Sequence, residues 1–213
     1  MRIVATSDPH FSPMKPPGGW PDGDAFILAG DAMYDGTPRE WMPFVDDMRL
    51  LKYKEKYYVP GNHDKHVELY TGAAWRDLED AGVVTLMGKK TKQVLPNGMT
   101  LAGMPYVTNL PYWAFNREEE QIAQFLDSLG RVDILVSHTP PRGLLDRDYL
   151  QKGTHYGSTA LRRYLHKFQP QIIICGHVHE GYGMVKEDRT TVYNVCMCDI
   201  DYKQSNPPVV IDL

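Results

Sequence analysis

The chain has 213 residues, with 23 Lys and Arg against 27 Asp and Glu and a formal net charge of −4, so a single domain over residues 1–213 is expected. Scattered basic residues and a net negative charge exclude a broad electrostatic grip on extended nucleic acid, and no apolar run approaches the ~18 residues of a spanning helix. The opening residues pass from a short apolar run straight into polar ones without a signal-peptide core, so a cytoplasmic protein with no membrane partner is expected; the three cysteines are too few and too odd in number for a disulfide framework.

Short β-rich runs alternate with amphipathic stretches, the pattern of strands joined by crossover helices. In chain order the spacing predicts strands at Arg2–Thr6, Ala25–Ala29, Lys56–Val59, Val132–Val136 and Gln171–Ile174. Helices are predicted over Pro38–Tyr53 behind Thr37 as cap, over Asn116–Leu129 and over Ser158–Phe168, with Lys65–Ala81 helical in part and interrupted at Gly72. The segments Gly82–Met104 and Gly183–Ile211 have the texture of antiparallel strands. Pro9–Pro21 and Pro105–Trp113 have no period and read as ordered loops, and Pro141–Tyr156 has no readable structure.

Each predicted strand of the first set ends in a polar cluster: Asp8-Pro9-His10, Gly30-Asp31, Gly61-Asn62-His63-Asp64, Ser137-His138 and Gly176-His177-Val178-His179. In an open parallel sheet the carboxyl ends of the strands share one edge, where ligands bind. The side chains gathered there, Asp8, His10, Asp31, Asn62, His138, His177 and His179, offer imidazole, carboxylate and amide donors. That mixture suits first-row divalent ions, and it exceeds what one catalytic ion takes while keeping a water position. Two ions with a bridging carboxylate account for it: manganese first, with iron, zinc, nickel or magnesium also compatible. Cys196 and Cys198 read as strand packing rather than a soft-metal pair.

The motifs Asp-x-His, Gly-Asp, Gly-Asn-His-Asp, a lone His and Gly-His-x-His resemble, in identity and order, the calcineurin-like metallophosphoesterase superfamily. His138-Thr-Pro-Pro-Arg-Gly-Leu-Leu-Asp146, Gly176-His-Val-His-Glu-Gly-Tyr-Gly183 and Asn206-Pro-Pro-Val-Val-Ile-Asp-Leu213 are similar to the small metallophosphoesterase-domain cyclic nucleotide phosphodiesterases. The resemblance implies a four-layer α/β/β/α sandwich of two mixed β-sheets flanked by helices. It implies one ion held by Asp8, His10, Asp31 and His179 and another by Asp31, Asn62, His138 and His177. Gly30-Asp-Ala-Met-Tyr-Asp-Gly36 lacks the arginine of the protein-phosphatase branch, which argues against a phosphoprotein substrate; Asp35 supports the site or simply forms the turn.

Two ions ~3.5–4 Å apart bring a bridging water's pKa near neutrality. In-line attack of the resulting hydroxide on the phosphorus of a small phosphodiester, a cyclic nucleotide or similar, then needs no Ser or Cys nucleophile. His63 is expected beside the ions without binding them, as proton donor or charge stabiliser, with Asp64 holding its ring. Arg142 is a candidate phosphate partner or a surface residue, and His155 with Tyr156 precedes a helix start suited to anions, unless Ser158 only caps it. Tyr182 and Trp20 are candidates for stacking on a base, and His66 and His166 are expected on solvated faces. Competing readings are a nuclease, a phosphomonoesterase or protein phosphatase, and a non-catalytic metal-binding scaffold; oligomeric state is not encoded in any motif.

Overall fold

The computed structural model describes residues 1–148 and 154–213; residues 149–153, within the 141–156 segment, lie outside the described residues. In chain order the elements are strands β1 (Arg2–Thr6) and β2 (Ala25–Leu28), helix α1 (Pro38–Leu50), strand β3 (Glu55–Tyr58), and helices α2 (Lys65–Leu69) and α3 (Thr71–Asp80). Strands β4 (Val84–Thr85), β5 (Lys92–Val94) and β6 (Thr100–Met104), helix α4 (Glu119–Leu129) and strand β7 (Ile134–Ser137) follow. The rest comprises β8 (Arg147–Asp148), β9 (Thr154–His155), α5 (Thr159–Phe168), β10 (Ile172–Cys175), β11 (Gly183–Glu187), β12 (Thr190–Asn194) and β13 (Val209–Asp212).

Two mixed sheets form, one in the order β13-β1-β2-β3-β4 and one in the order β11-β12-β10-β7-β6-β5. Both faces of the central strands are apolar, and the alternation of side chains sorts them into separate cores. Ile3, Ala5 and Ile27 from the first sheet meet Leu101, Ile134, Val136 and Ile174 from the second in an inter-sheet core. The opposite residues, Val4, Phe26 and Leu28, pack under Phe44 and Met48 of α1 and Leu78 of α3. On the far side Leu135 and Ile173 pack under Ile122 and Leu126 of α4 and Leu161 and Leu165 of α5. The fold is thus the expected α/β/β/α arrangement of layers.

Several sequence expectations need correction. The antiparallel texture of residues 82–104 holds only for β5 with β6, because β4 runs parallel to β3 and β6 parallel to β7. In the second such segment β11 and β12 form an antiparallel pair and β13 lies antiparallel to β1, but β12 is parallel to β10. Alternation reports burial on one face and not the direction of the neighbour, so the pattern could not decide this. Helix α1 stops at Leu50, and the helical break falls at Tyr70 rather than Gly72, which sits inside α3. His66 is no solvated residue: its ring stacks on Trp41 at 4.9 Å and on Tyr70 at 4.9 Å. Helix α1 opens as expected, with the Glu40 carboxylate accepting from the Thr37 backbone N–H at 2.8 Å and from the N–H groups of Tyr34 and Asp35 at 3.0 and 3.1 Å. Asp35 is accordingly an exposed turn residue ahead of Gly36.

Candidate metal centre

The five polar clusters follow β1, β2 and β3 in one sheet and β7 and β10 in the other, so the site straddles the rim of the sandwich rather than one sheet edge. Backbone hydrogen bonds stitch these loops together: Asp8 N–H donates to the Gly30 carbonyl at 2.9 Å, His10 N–H to that of Asp31 at 3.2 Å, and Gly176 N–H to that of His138 at 2.9 Å. Four of the seven candidate ligands, Asp8, His10, Asp31 and His177, have positive φ, at 52°, 54°, 51° and 69°. A left-handed non-glycine residue is uncommon and persists only where its surroundings over-determine it. Here the inter-loop bonds supply that constraint. Gly30, at φ +101°, leaves no room for a Cβ, which would collide with the His138 ring.

The side chains converge in buried surroundings. Donor atoms of Asp8, His10 and His179 lie within 4.8 Å of one another, as do those of Asp31, His138 and His177, and those of His10, Asp31 and His63. Asn62 joins the second group, its Oδ1 lying 3.1 Å from His138 Nε2. Ring tautomers follow from the partners, since a carbonyl can only accept and must face an N–H. His10 Nδ1 faces the Met33 carbonyl at 3.2 Å, and His179 Nδ1 faces that of Asp199 at 2.8 Å. Their Nε2 atoms therefore point lone pairs at each other across 3.1 Å. Likewise His138 Nδ1 faces the Ala29 carbonyl at 2.8 Å, leaving its Nε2 lone pair 3.2 Å from Asp31 Oδ2. Acceptor faces acceptor at both places, and only a cation, proton or metal, resolves such contacts. The residues present fit divalent metal.

Electrostatics agree. Burial opposes charge on His138, yet Asp31 and Asp8 outweigh it and raise its pKa to about 9. Burial lowers His10 to about 4, and burial with the neighbouring His138 lowers His177 to about 4. Although burial opposes ionisation, the surrounding histidines hold Asp8 and Asp31 below the usual carboxylate range.

Around this cluster the expected supporting residues divide. His63 does lie beside it, its ring 4.7 Å from His10, but Asp64 does not hold that ring. The His63 Nδ1 is engaged by the Tyr34 carbonyl, while Asp64 accepts from Met33 N–H at 3.2 Å and Gly61 N–H at 2.8 Å. Burial, and then Asp31, push the Asp64 carboxyl up to about 7. Arg142 donates to the His155 carbonyl at 3.1 Å, and His155 Nδ1 lies 2.7 Å from Asp146 Oδ1. The Tyr182 hydroxyl donates to the Pro207 carbonyl at 2.9 Å. None of Arg142, His155 and Tyr182 lines the cleft that opens at His177 and His179. Trp20 packs edge-on against Phe26 at 5.2 Å in the core under α1. The helix start behind His155 is no free anion site: Ser158 caps it, accepting from Leu161 N–H at 3.1 Å, and Glu119 accepts from the Ser158 hydroxyl and from Thr159 and Ala160 N–H.

Sequence reasoning missed an aromatic rim. Trp113 packs on His63 with ring centroids 4.3 Å apart, Lys65 Nζ sits 4.8 Å over the Trp113 ring, and Tyr202 lies 4.8 Å from His10 and 5.1 Å from His179. Trp113 had a signal, being aromatic in a segment without period, whereas Tyr202 had none. Cys196 follows β12 rather than lying in it, and its thiol donates to Asp8 Oδ2 at 3.2 Å. Burial, and then Asp8, raise the Cys196 thiol well above its usual pKa, so it supports Asp8 as a neutral donor.

A calcineurin-like phosphoesterase family model matches residues 1–181. Metallophosphoesterase domain-containing protein 1 of Homo sapiens is 29% identical over 233 residues, covering 100% of this chain and 71% of that protein. A UPF0046 protein of Caenorhabditis elegans is 30% identical over 222 residues, covering 91% of this chain and 55% of its own length. Among solved structures, a Thermus thermophilus protein superposes with a TM-score of 0.64 at 18% identity, covering 91% of this chain and 88% of that one. A putative 5'-nucleotidase from Staphylococcus aureus gives 0.60 at 17% identity, with 91% and 48% covered. At these identities the structures show a shared fold alone.

Proposed function

The chain belongs to the calcineurin-like phosphoesterase family, and from that premise we propose that it hydrolyses a small phosphodiester, a cyclic nucleotide or similar compound, with two divalent ions, manganese first. The observation that carries the reading is the pair of contacts that need a shared cation, His10 Nε2 against His179 Nε2 at 3.1 Å and His138 Nε2 against Asp31 Oδ2 at 3.2 Å. Asp8, His10, Asp31 and His179 would hold one ion, and Asp31, Asn62, His138 and His177 the other. When bound, such ions supply a water acidified to near neutrality and positive charge against the growing phosphoryl charge.

The remaining work falls to the chain. His63 has its Nδ1 committed to the Tyr34 carbonyl, which fixes Nε2 as the working nitrogen. Packed between His10 and Trp113, that ring gives a proton from Nε2 to the departing ester oxygen in its imidazolium form, because the neutral ring with its N–H on Nδ1 presents only a lone pair there. A diester is favoured over a monoester by what surrounds the centre. Among the described residues no lysine or arginine lines the cleft at His177 and His179, so the second negative charge of a monoester finds no partner there. Apolar and aromatic side chains there accommodate an organic substituent instead.

The test is hydrolysis of an aryl phosphodiester beside the aryl monoester by metal-stripped protein with Mn²⁺ restored, with His63→Ala in parallel. Metal-dependent diester turnover that drops about 100-fold or more in the variant is expected. Preference for the monoester would overturn the diester reading, and turnover unaffected by metal removal would overturn the mechanism.

A further inference from the structure

Beside the metal centre lies a cleft of about 260 Å³ lined in part by His177 and His179. Its walls include Tyr156, Tyr202, Ile200 and Glu180. Tyr202 is 36% exposed and held edge-to-face by His10, His179 and Tyr34, while Ile200 is 46% exposed. These are apolar and aromatic surfaces left open to solvent next to a polar centre, the composition of a ligand site that takes a flat organic group.

Glu180 is the unusual member. It is half buried, and among the described residues its carboxylate has no hydrogen-bond or ion-pair partner. Its backbone is rigid: Gly181 N–H donates to the Val178 carbonyl at 3.0 Å, and Asn194 Nδ2 donates to the same carbonyl at 2.8 Å. A Cβ at Gly181 would collide with the Leu145 carbonyl, so the turn carrying Glu180 lies tight against the preceding loop. A carboxylate lining the cleft on a fixed turn, without a partner among the described residues, is an acceptor waiting for donors. It also repels a second anionic group, so the donors must come from a neutral part of the ligand.

We propose that this cleft is a nucleobase subsite selective for guanine, with Tyr202 as the stacking surface and the Glu180 carboxylate accepting from the base edge. Among the common bases only guanine offers two adjacent N–H donors on one edge, N1–H and the N2 amino group, which match the two oxygens of a carboxylate. Adenine and cytosine offer one amino group beside an acceptor that a carboxylate repels, and uracil one N–H flanked by carbonyls. The inference rests on the diester reading for the placement of the phosphate at the centre. It goes beyond that reading in naming the base and the residue that selects it.

Two ratios test it. In the Mn²⁺-loaded protein, kcat/KM for 3',5'-cyclic GMP is expected to exceed that for cyclic AMP by about tenfold or more, the discrimination of a good bidentate pair. Glu180→Gln, which puts an amide N–H₂ where one acceptor was, brings the ratio close to one, whereas a merely structural change would lower both rates together. Equilibrium binding of GMP against AMP to the wild type and to Glu180→Gln gives the same comparison without turnover. Guanine-selective binding that the substitution abolishes upholds the subsite even if neither cyclic nucleotide is hydrolysed, and then it is the diester reading that falls. Equal preference for the two bases in the wild type, or a preference that Glu180→Gln leaves in place, overturns the subsite.

Discussion

Metal binding to this centre should expel a proton, and the structure says which one and how much it matters. In the metal-free protein His138 titrates at about 9, so at pH 7 its Nε2 carries a proton between the ring and Asp31. An ion can reach that nitrogen only after the proton leaves, while His10 and His177, lowered to about 4, are already neutral and release nothing at pH 7. The gap of about two pH units costs about 2.7 kcal/mol, or about 100-fold in affinity at pH 7 relative to a fully deprotonated site. Calorimetric titration with Mn²⁺ in two buffers of different ionisation enthalpy should report release of at least one proton, chiefly from His138, with a further contribution from His179, whose charge burial opposes but whose pKa Asp8 raises. The log of the binding constant should climb by about one to two per pH unit between pH 6.5 and 8, one from His138 and the remainder from His179. Fold stability has the opposite sign without metal, because a raised histidine stabilises fully below its unfolded pKa of 6.5 and loses that contribution as pH rises through about 9. Stabilisation by metal, read as a shift in Tm, should therefore be larger at pH 8 than at pH 6. A pH-independent binding constant with no proton released would refute the assignment of His138 as a ligand and the acceptor-against-acceptor argument with it.

Two further outcomes probe the frame rather than the chemistry. Glu119→Ala removes the acceptor shared by Ser158 Oγ, Thr159 N–H and Ala160 N–H at 2.8–2.9 Å. It should destabilise the protein by about 2 kcal/mol, which thermal unfolding would show as a Tm lower by roughly 4–8 °C; an unchanged Tm would mean that water replaces the carboxylate without loss. Cys175, Cys196 and Cys198 are all buried with thiol pKa values pushed up by burial. A thiol-specific aromatic disulfide should label none of them in the native protein and all three after denaturation.

What was legible in the sequence was whatever a short local pattern enforces. The strand-then-polar-cluster repeats placed the seven candidate ligands correctly at strand ends, because a buried apolar strand must stop where polar side chains begin. Sheet membership was hidden, since β1, β2, β7 and β10 are buried on both faces and carry no mark of the sheet they join. Pairings between distant residues were hidden too. Nothing near Glu119 announces that it closes the amino end of α5, forty residues on, and nothing near Tyr34 announces that its carbonyl, rather than Asp64, holds His63.

The strained backbone ties these two kinds of information together. Asp8, His10, Asp31 and His177 are left-handed, a conformation that costs on the order of 1 kcal/mol or more per residue and has no support within its own segment. The hydrogen bonds that hold Asp8 and His10 come from the loop after β2, and His177 N–H donates to the Asp8 carboxylate at 3.0 Å across from the other sheet. No half of the sandwich can therefore prepare the centre by itself. The ligands reach their geometry only when both sheets are in place, so damage to the inter-sheet core around Ile3, Ile134 and Ile174 reaches the metal centre as directly as the loss of a ligand does.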